Sequence, residues 1–271
     1  MDSFSGYRSK LTTAEDAVAT ISSGSRLSMG MAMTEPPALL KALAERAESG
    51  LVEDLRLYYF EATSIAGATV LRYELNKLIQ PYCMFIAGTE RALIKRGVEE
   101  GDRKVVSYVP NNFHQATRLL IDEIGIDTFV CTVSPMDRHG YFSFGTGNDY
   151  STKVARSAKR LIVEVNENMP CVHGSRSELH ISEVDAIIEN HVPLLELPER
   201  NGTPEDEVIS RIIADMVPDG ACLQMGVGAL PNLVCAALKD RNDLGIHTEA
   251  LNPGPGRPRP CRRGDQSTQG D

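Results

Sequence analysis

The sequence has no long apolar run, no surplus of positive charge and no paired cysteines, and each absence closes off a class of protein. No segment approaches the ~20 apolar residues that a membrane-spanning helix needs. The N-terminus, MDSFSGYRSKLTTAEDAV, carries acidic residues and lacks the apolar stretch of a signal peptide. A cytoplasmic protein with no membrane partner is therefore expected. Lysine and arginine number 28 against 37 aspartates and glutamates, a formal net charge of −9. That balance argues against broad contact with nucleic acid or anionic lipid and leaves room only for a local basic pocket. The six cysteines, Cys83, Cys131, Cys171, Cys222, Cys235 and Cys261, form no C-x-x-C pair, so neither a zinc site nor a disulfide framework is indicated. The histidines are equally scattered; the closest pair, His173 and His180, spans a loop and makes no metal motif. Two nucleotide signatures are also incomplete. After Gly226-Val227-Gly228 the chain runs Ala-Leu-Pro, without the third glycine of a dinucleotide-binding turn, and it has no P-loop lysine there.

What is present is ample apolar material: 42% of 271 residues are hydrophobic, enough for one large or two modest domains. Strand-like and helix-like stretches alternate. Thr12 and Thr13 ahead of Glu15 and Asp16 cap a short helix; Arg26–Met31 reads as a strand; Glu35-Pro36-Pro37 opens a helix whose Leu39, Leu40 and Leu43 form one stripe before Gly50 closes it. Leu55–Phe60 follows as a strand, Val70–Ile79 as a helix, Cys83–Ala87 as a strand. A polar stretch leads through Arg103 to strand-like Lys104–Val109, then a helix over Phe113–Ile124 and strands over Asp127–Val133 and Arg160–Val165. This alternation argues for an α/β fold, a parallel sheet covered on both faces. The turn Gly30–Glu35 sits at a strand's carboxyl end, where a pocket wall and a plain connection are equally open readings. Ser134–Gly147 is a Gly- and aromatic-rich loop; Pro135, Asp137 and Gly140 make a turn, so His139 is not expected to act as a base. Pro198–Pro204, polar and framed by prolines, is the best boundary.

The densest signal is Ala221–Glu249. Ala221–Met225 is a short apolar strand, Gly226-Val227-Gly228 a tight turn, Pro231 the opening of a helix, and Leu244–His247 a second strand ending in Thr248-Glu249. Ligands of open α/β sheets bind beyond the carboxyl ends of strands, so the Gly226–Leu230 turn and Glu249 would face one crevice. A ligand-free Gly-x-Gly turn and a solvated glutamate would read the same way from these features alone.

QMGVGALPNLVCAAL followed by DLGIHTE resembles the core of the acetyl-CoA hydrolase/transferase family, which includes acetate, succinate and 4-hydroxybutyrate CoA-transferases. GMAMTEPPALLKAL, VSPMDRHGYFSFG with its following NDYS, LIVEVNENMP and PLLELPE resemble family segments in the family's order, from about Gly30 to Glu249. The resemblance implies an open parallel-sheet α/β/α CoA-transferase-type domain over residues 1–197. A linker over 198–204 and the start of a second, similar but incomplete α/β domain over 205–252 would follow. It implies Glu249 as the nucleophile and Gly226, Val227, Gly228, Ala229 and Leu230 as the CoA-contacting turn. Coenzyme A or acyl-CoA would be substrate, a small carboxylate its partner, and no cofactor or metal would be permanently bound; a homo-oligomer is left open. Short-chain acyl transfer, acyl-CoA hydrolysis and an inactive fragment remain alternatives. Past Glu249 the likeness stops. GPGRPRPCRRGDQSTQGD has the Pro/Gly/Arg spacing of disorder, and residues 253–271 are expected to be an out-of-frame tail on a truncated chain.

Overall fold

A computed structural model describes residues 3–101, 103–196 and 201–248. The chain divides into two compact units, residues 1–195 and 196–271. In the first, helices α1 (Ser3–Lys10) and α2 (Ala14–Ala19) precede β1 (Arg26–Met29). Thr13 caps α2 by accepting from the Asp16 amide, as its sequence position predicts. Then come α3 (Pro37–Glu48), β2 (Leu55–Tyr59), α4 (Ser64–Ala68), β3 (Ile79–Cys83), α5 (Gly88–Gly101) and β4 (Ser107–Tyr108). The helical segment α6 (113–124) passes through 3-10, α and π turns and ends at Gly125, φ 66°. It leads to β5 (Thr128–Val133), β6 (Tyr141–Ser143), α7 (Ser151–Ser157), β7 (Arg160–Val165), β8 (Glu178–His180) and β9 (Ala186–Glu189).

Seven strands form one all-parallel sheet in the order β4-β3-β2-β1-β5-β7-β9. Its order runs outward from β1 in both directions, so the topological switch point lies between β1 and β5. Such a sheet must bury both faces, and β5, TFVCTV, is buried at every position. One apolar cluster includes Leu27, Leu39, Leu40, Leu43, Leu55 and Leu57. A second gathers Leu120, Phe129, Phe142, Phe144, Val154 and Val163. β6 pairs antiparallel with β8 as a small separate ribbon, so the Ser134–Gly147 segment carries a strand where an irregular loop was expected.

Three further expectations need correction. Residues 70–79 are not a continuous helix, and the third strand is Ile79–Cys83, four residues ahead of Cys83–Ala87. β3 tolerates Pro81 because β4 reaches only Tyr82 and Cys83 of β3, which leaves Pro81 unopposed on that side, as proline in a strand requires. The polar stretch before Arg103 is the helix α5, a polar face supported by Lys95–Glu99 and Arg96–Glu100 pairs four residues apart.

The second unit holds α8 (Pro204–Met216), β10 (Cys222–Leu223), α9 (Ala229–Ala237) and β11 (Gly245–Ile246). Pro204, expected in the linker, is the first residue of α8, where its missing N–H would have had no helical partner. Thr203 and Asp206 form a reciprocal capping box ahead of it. No helix among the described residues is long and apolar enough to cross a membrane.

Candidate active site

At the switch point of the first unit, the Gly30 amide donates to the Val130 carbonyl of β5 (2.9 Å). The chain then folds back so tightly that a Cβ on Gly30 would lie 2.4 Å from the Thr34 carbonyl oxygen; only glycine fits. Thr34 closes the loop by donating from both its amide and its hydroxyl to the Met31 carbonyl (3.0 and 2.9 Å). Ala32 sits inside that loop at φ 50°, a left-handed conformation that costs a non-glycine residue of order 1 kcal/mol.

Glu35 follows, 1% exposed. Its Oε1 accepts from the Thr63 amide (2.7 Å), and its Oε2 from the Thr63 hydroxyl (2.6 Å) and the Ala66 amide (3.1 Å). Its main-chain carbonyl accepts from the Thr132 hydroxyl of β5 (2.8 Å). Burial pushes the Glu35 carboxyl up to about 7; the Thr63 and Ala66 donors pull against that, and the charge of Glu90 adds to it. A second buried carboxylate, Glu164 of β7, accepts from the Ala38 and Leu39 amides (3.0 and 3.1 Å) and from the Asn190 amide group (2.6 Å), so it caps α3 from the neighbouring sheet. Its carboxyl is raised by burial and drawn back by Asn190 and those two amides.

The turn after β2 carries Phe60 and Glu61. Phe60 stacks on Phe85 (centroids 6.0 Å apart, planes at 6°) and meets Phe113 at 4.3 Å and 44°. Met31, Phe60 and Phe113 all pack on the second apolar cluster. The Asp137-Arg138-His139 segment is turn structure, as the sequence suggests: Asp137 Oδ1 accepts from the His139 and Tyr141 amides (2.8 and 2.9 Å), which holds its carboxyl below the usual range.

In the second unit, β10 and β11 pair in parallel with Cys222 opposite Gly245 and Leu223 opposite Ile246. Gly228 caps α9 at φ 145°, a region open to glycine. α9 opens at Ala229 and not at Pro231 as expected, so Ala229 and Leu230 belong to the helix and not to the turn; their amides have no partner within the helix, and Pro231, third in α9, has no N–H to offer. The Thr248 hydroxyl accepts from the Met225 amide (3.1 Å) and donates to the Met225 carbonyl (2.9 Å). This double contact ties the residue before Glu249 to the residue before Gly226. Glu249 itself, residues 250–252 and the 253–271 segment lie outside the described residues. Among the described residues, no group of three or more His, Cys, Asp or Glu side chains is placed to hold a metal ion.

Comparison with known proteins decides the family. The N-terminal domain of the acetyl-CoA hydrolase/transferase family matches residues 1–196. The chain belongs to the acetyl-CoA hydrolase/transferase family. Within it, the chain is 36% identical to the succinyl-CoA:cyclohexane-1-carboxylate CoA transferase of Geobacter metallireducens over 92% of its own length and 54% of the relative's. It is also 36% identical to the butyryl-CoA:acetate CoA-transferase of Anaerostipes caccae, over 90% of this chain and 54% of that one. The crystal structure of RipA from Yersinia pestis superposes with a TM-score of 0.92 at 69% identity, covering 94% of this chain and 59% of RipA. The chain thus spans about half the length of these relatives. RipA structures also exist for the variants M31G, F60M, E61V, E249D and E249A; this member of the family carries Met31, Phe60, Glu61 and Glu249 under the same numbers.

The Gly226–Gly228 turn is legible in the sequence through its glycines. Sequence reasoning read Glu35 only as a helix opener and passed over Glu164. For Glu164 a signal existed: a lone acid inside the apolar strand LIVEV can be buried there only with partners.

Proposed function

We propose that this chain carries the nucleophile and the CoA-contacting turn of a short-chain acyl-CoA:carboxylate CoA-transferase. The observation that supports it best is the Thr248–Met225 pair of hydrogen bonds, which brings the approach to Glu249 alongside the glycine turn that begins one residue after Met225. In this reading the Glu249 carboxylate attacks the thioester carbonyl carbon; the C–S bond breaks, giving an acyl-glutamyl anhydride and CoA thiolate. The thiolate attacks the glutamyl carbonyl and expels the original acid as its carboxylate, leaving a glutamyl-CoA thioester. An incoming carboxylate runs the sequence backwards. Every step exchanges one acyl bond for another, so no change of oxidation level and no electron carrier is called for.

The developing oxyanion needs donors already in place. The Ala229 and Leu230 amides, presented after Gly228 without a Cβ in the way, are the groups proposed for it. The relatives act on butyryl-CoA with acetate and on succinyl-CoA with cyclohexane-1-carboxylate, as their names state.

The test is acceptor dependence. Purified chain is incubated with butyryl-CoA, with and without isotopically labelled acetate, and thioesters are followed by mass spectrometry. Labelled acetyl-CoA that accumulates only with acetate, at the expense of butyryl-CoA, is the expected result. Release of free CoA at the same rate without acetate would make the activity hydrolysis and contradict the transferase reading.

A further inference from the structure

Glu35 has no part in the chemistry above, yet the switch point is built around it. A plain helix cap would account for it if α4 lacked one. It does not: the Thr63 hydroxyl already accepts from the Ile65 amide (3.1 Å). The Glu35 carboxylate instead reaches past that cap to the amide and hydroxyl of Thr63 and to Ala66, while the Glu35 main chain is anchored to β5 through Thr132. On the far side the Thr89 hydroxyl donates to the Thr63 carbonyl (3.2 Å), so the turn after β2 is gripped from two directions. One residue therefore joins the ends of β1, β2 and β5.

Met31 lies four residues before Glu35 and Phe60 three before Thr63, and both pack on the same apolar cluster. Three hydrogen bonds to one buried carboxylate thus tie the turn that carries Phe60 to the loop that carries Met31. We infer that Glu35 is a positioning residue for acyl-chain selection: it locks the Phe60–Thr63 turn to the Met31 loop and so sets the gap that the acyl group enters. The selection half of this statement rests on the CoA-transferase reading; the lock rests on the geometry alone. A glutamine cannot replace the carboxylate, because its NH2 group would face either the Thr63 or the Ala66 N–H, donor against donor.

The test uses the 271-residue chain and three variants, Glu35→Gln, Thr63→Val and Thr63→Ser. Amide hydrogen exchange is followed over residues 60–69, with residues 160–165 of the central sheet as the control for an intact fold. In parallel, kcat and KM are measured for acetyl-CoA and butyryl-CoA with one common acceptor. Glu35→Gln and Thr63→Val are expected to exchange about ten-fold faster over 60–69, as when a charge-assisted hydrogen bond is lost, with the control unchanged. Their acetyl to butyryl ratio of kcat/KM is expected to move about three-fold or more, mainly through KM. Thr63→Ser, which keeps the hydroxyl, should behave as wild type. Wild-type exchange in both disruptive variants would overturn the lock. A loosened turn with an unchanged ratio would overturn the selection role and leave a structural tie. Should Glu35→Gln fail to fold, Thr63→Val carries the same two readouts. If the wild-type chain turns over neither donor, the transferase reading fails and acyl selection falls with it, whereas the exchange contrast still decides the lock.

Discussion

At Glu35 and Glu164, burial and hydrogen bonding pull against each other. Both carboxyls are held above their ordinary value of 4.5 because desolvation outweighs the donors around them. Glu90 and Asp149 are shifted in the same direction, again chiefly by burial. An acid whose folded-state value is raised binds its proton more tightly in the folded chain. Its contribution is therefore complete below the unfolded value and is lost as pH rises through the folded one. For Glu35 that window runs from about 4.5 to about 7. The urea midpoint of unfolding should accordingly be higher at pH 5 than at pH 7.5, with a smaller difference in Glu35→Gln. The acids held below their ordinary values, Glu74, Asp137, Glu183 and Asp219, are largely ionised in both states from pH 5 upward and do not reverse the sign. A midpoint that stays flat or rises with pH would contradict the assignment.

At the level of elements, legibility followed how much of an element's identity is local. The strands at β1, β2, β5 and β7 announce themselves because a parallel sheet buried on both faces writes continuous apolar runs. The α3 stripe of Leu39, Leu40 and Leu43 is buried as its spacing predicts. β3 was misplaced because its tolerance of Pro81 depends on how short β4 is, a fact no window around Pro81 contains. α5 escaped because its buried apolar contact is narrow, Leu93 with Ile94 beside it, and the rest of the helix reads as polar. The site divides in the same way. Gly228 is legible since glycine is the residue for φ 145°, while Glu35 is not, since its partners Thr63, Ala66 and Thr132 are distant in sequence. Two caps give a direct check on this account. Removing Glu164, which satisfies the Ala38 and Leu39 amides from another strand, should cost about 1–3 kcal/mol as Glu164→Ala, because those donors stay buried. Thr203→Ala, at the exposed start of α8, should cost only about 1 kcal/mol. Chemical denaturation of the two variants measures both, and equal losses would argue that Glu164 is not the cap of α3.

For the molecule as a whole, the fold and the family are firm and the chemistry is a proposal. A seven-stranded parallel sheet, a family match over residues 1–196 and a TM-score of 0.92 to RipA establish the first two. The relatives are about twice as long as this chain, so competence for transfer has to be measured on the chain itself. The most direct measurement is the intact mass of the purified 271-residue protein after incubation with acetyl-CoA, with Glu249→Gln treated identically. A covalent CoA adduct on the wild type that is absent from Glu249→Gln is the predicted result, and it would place the glutamyl-CoA thioester on Glu249. The same adduct on both proteins, or none on folded wild type, would contradict the account.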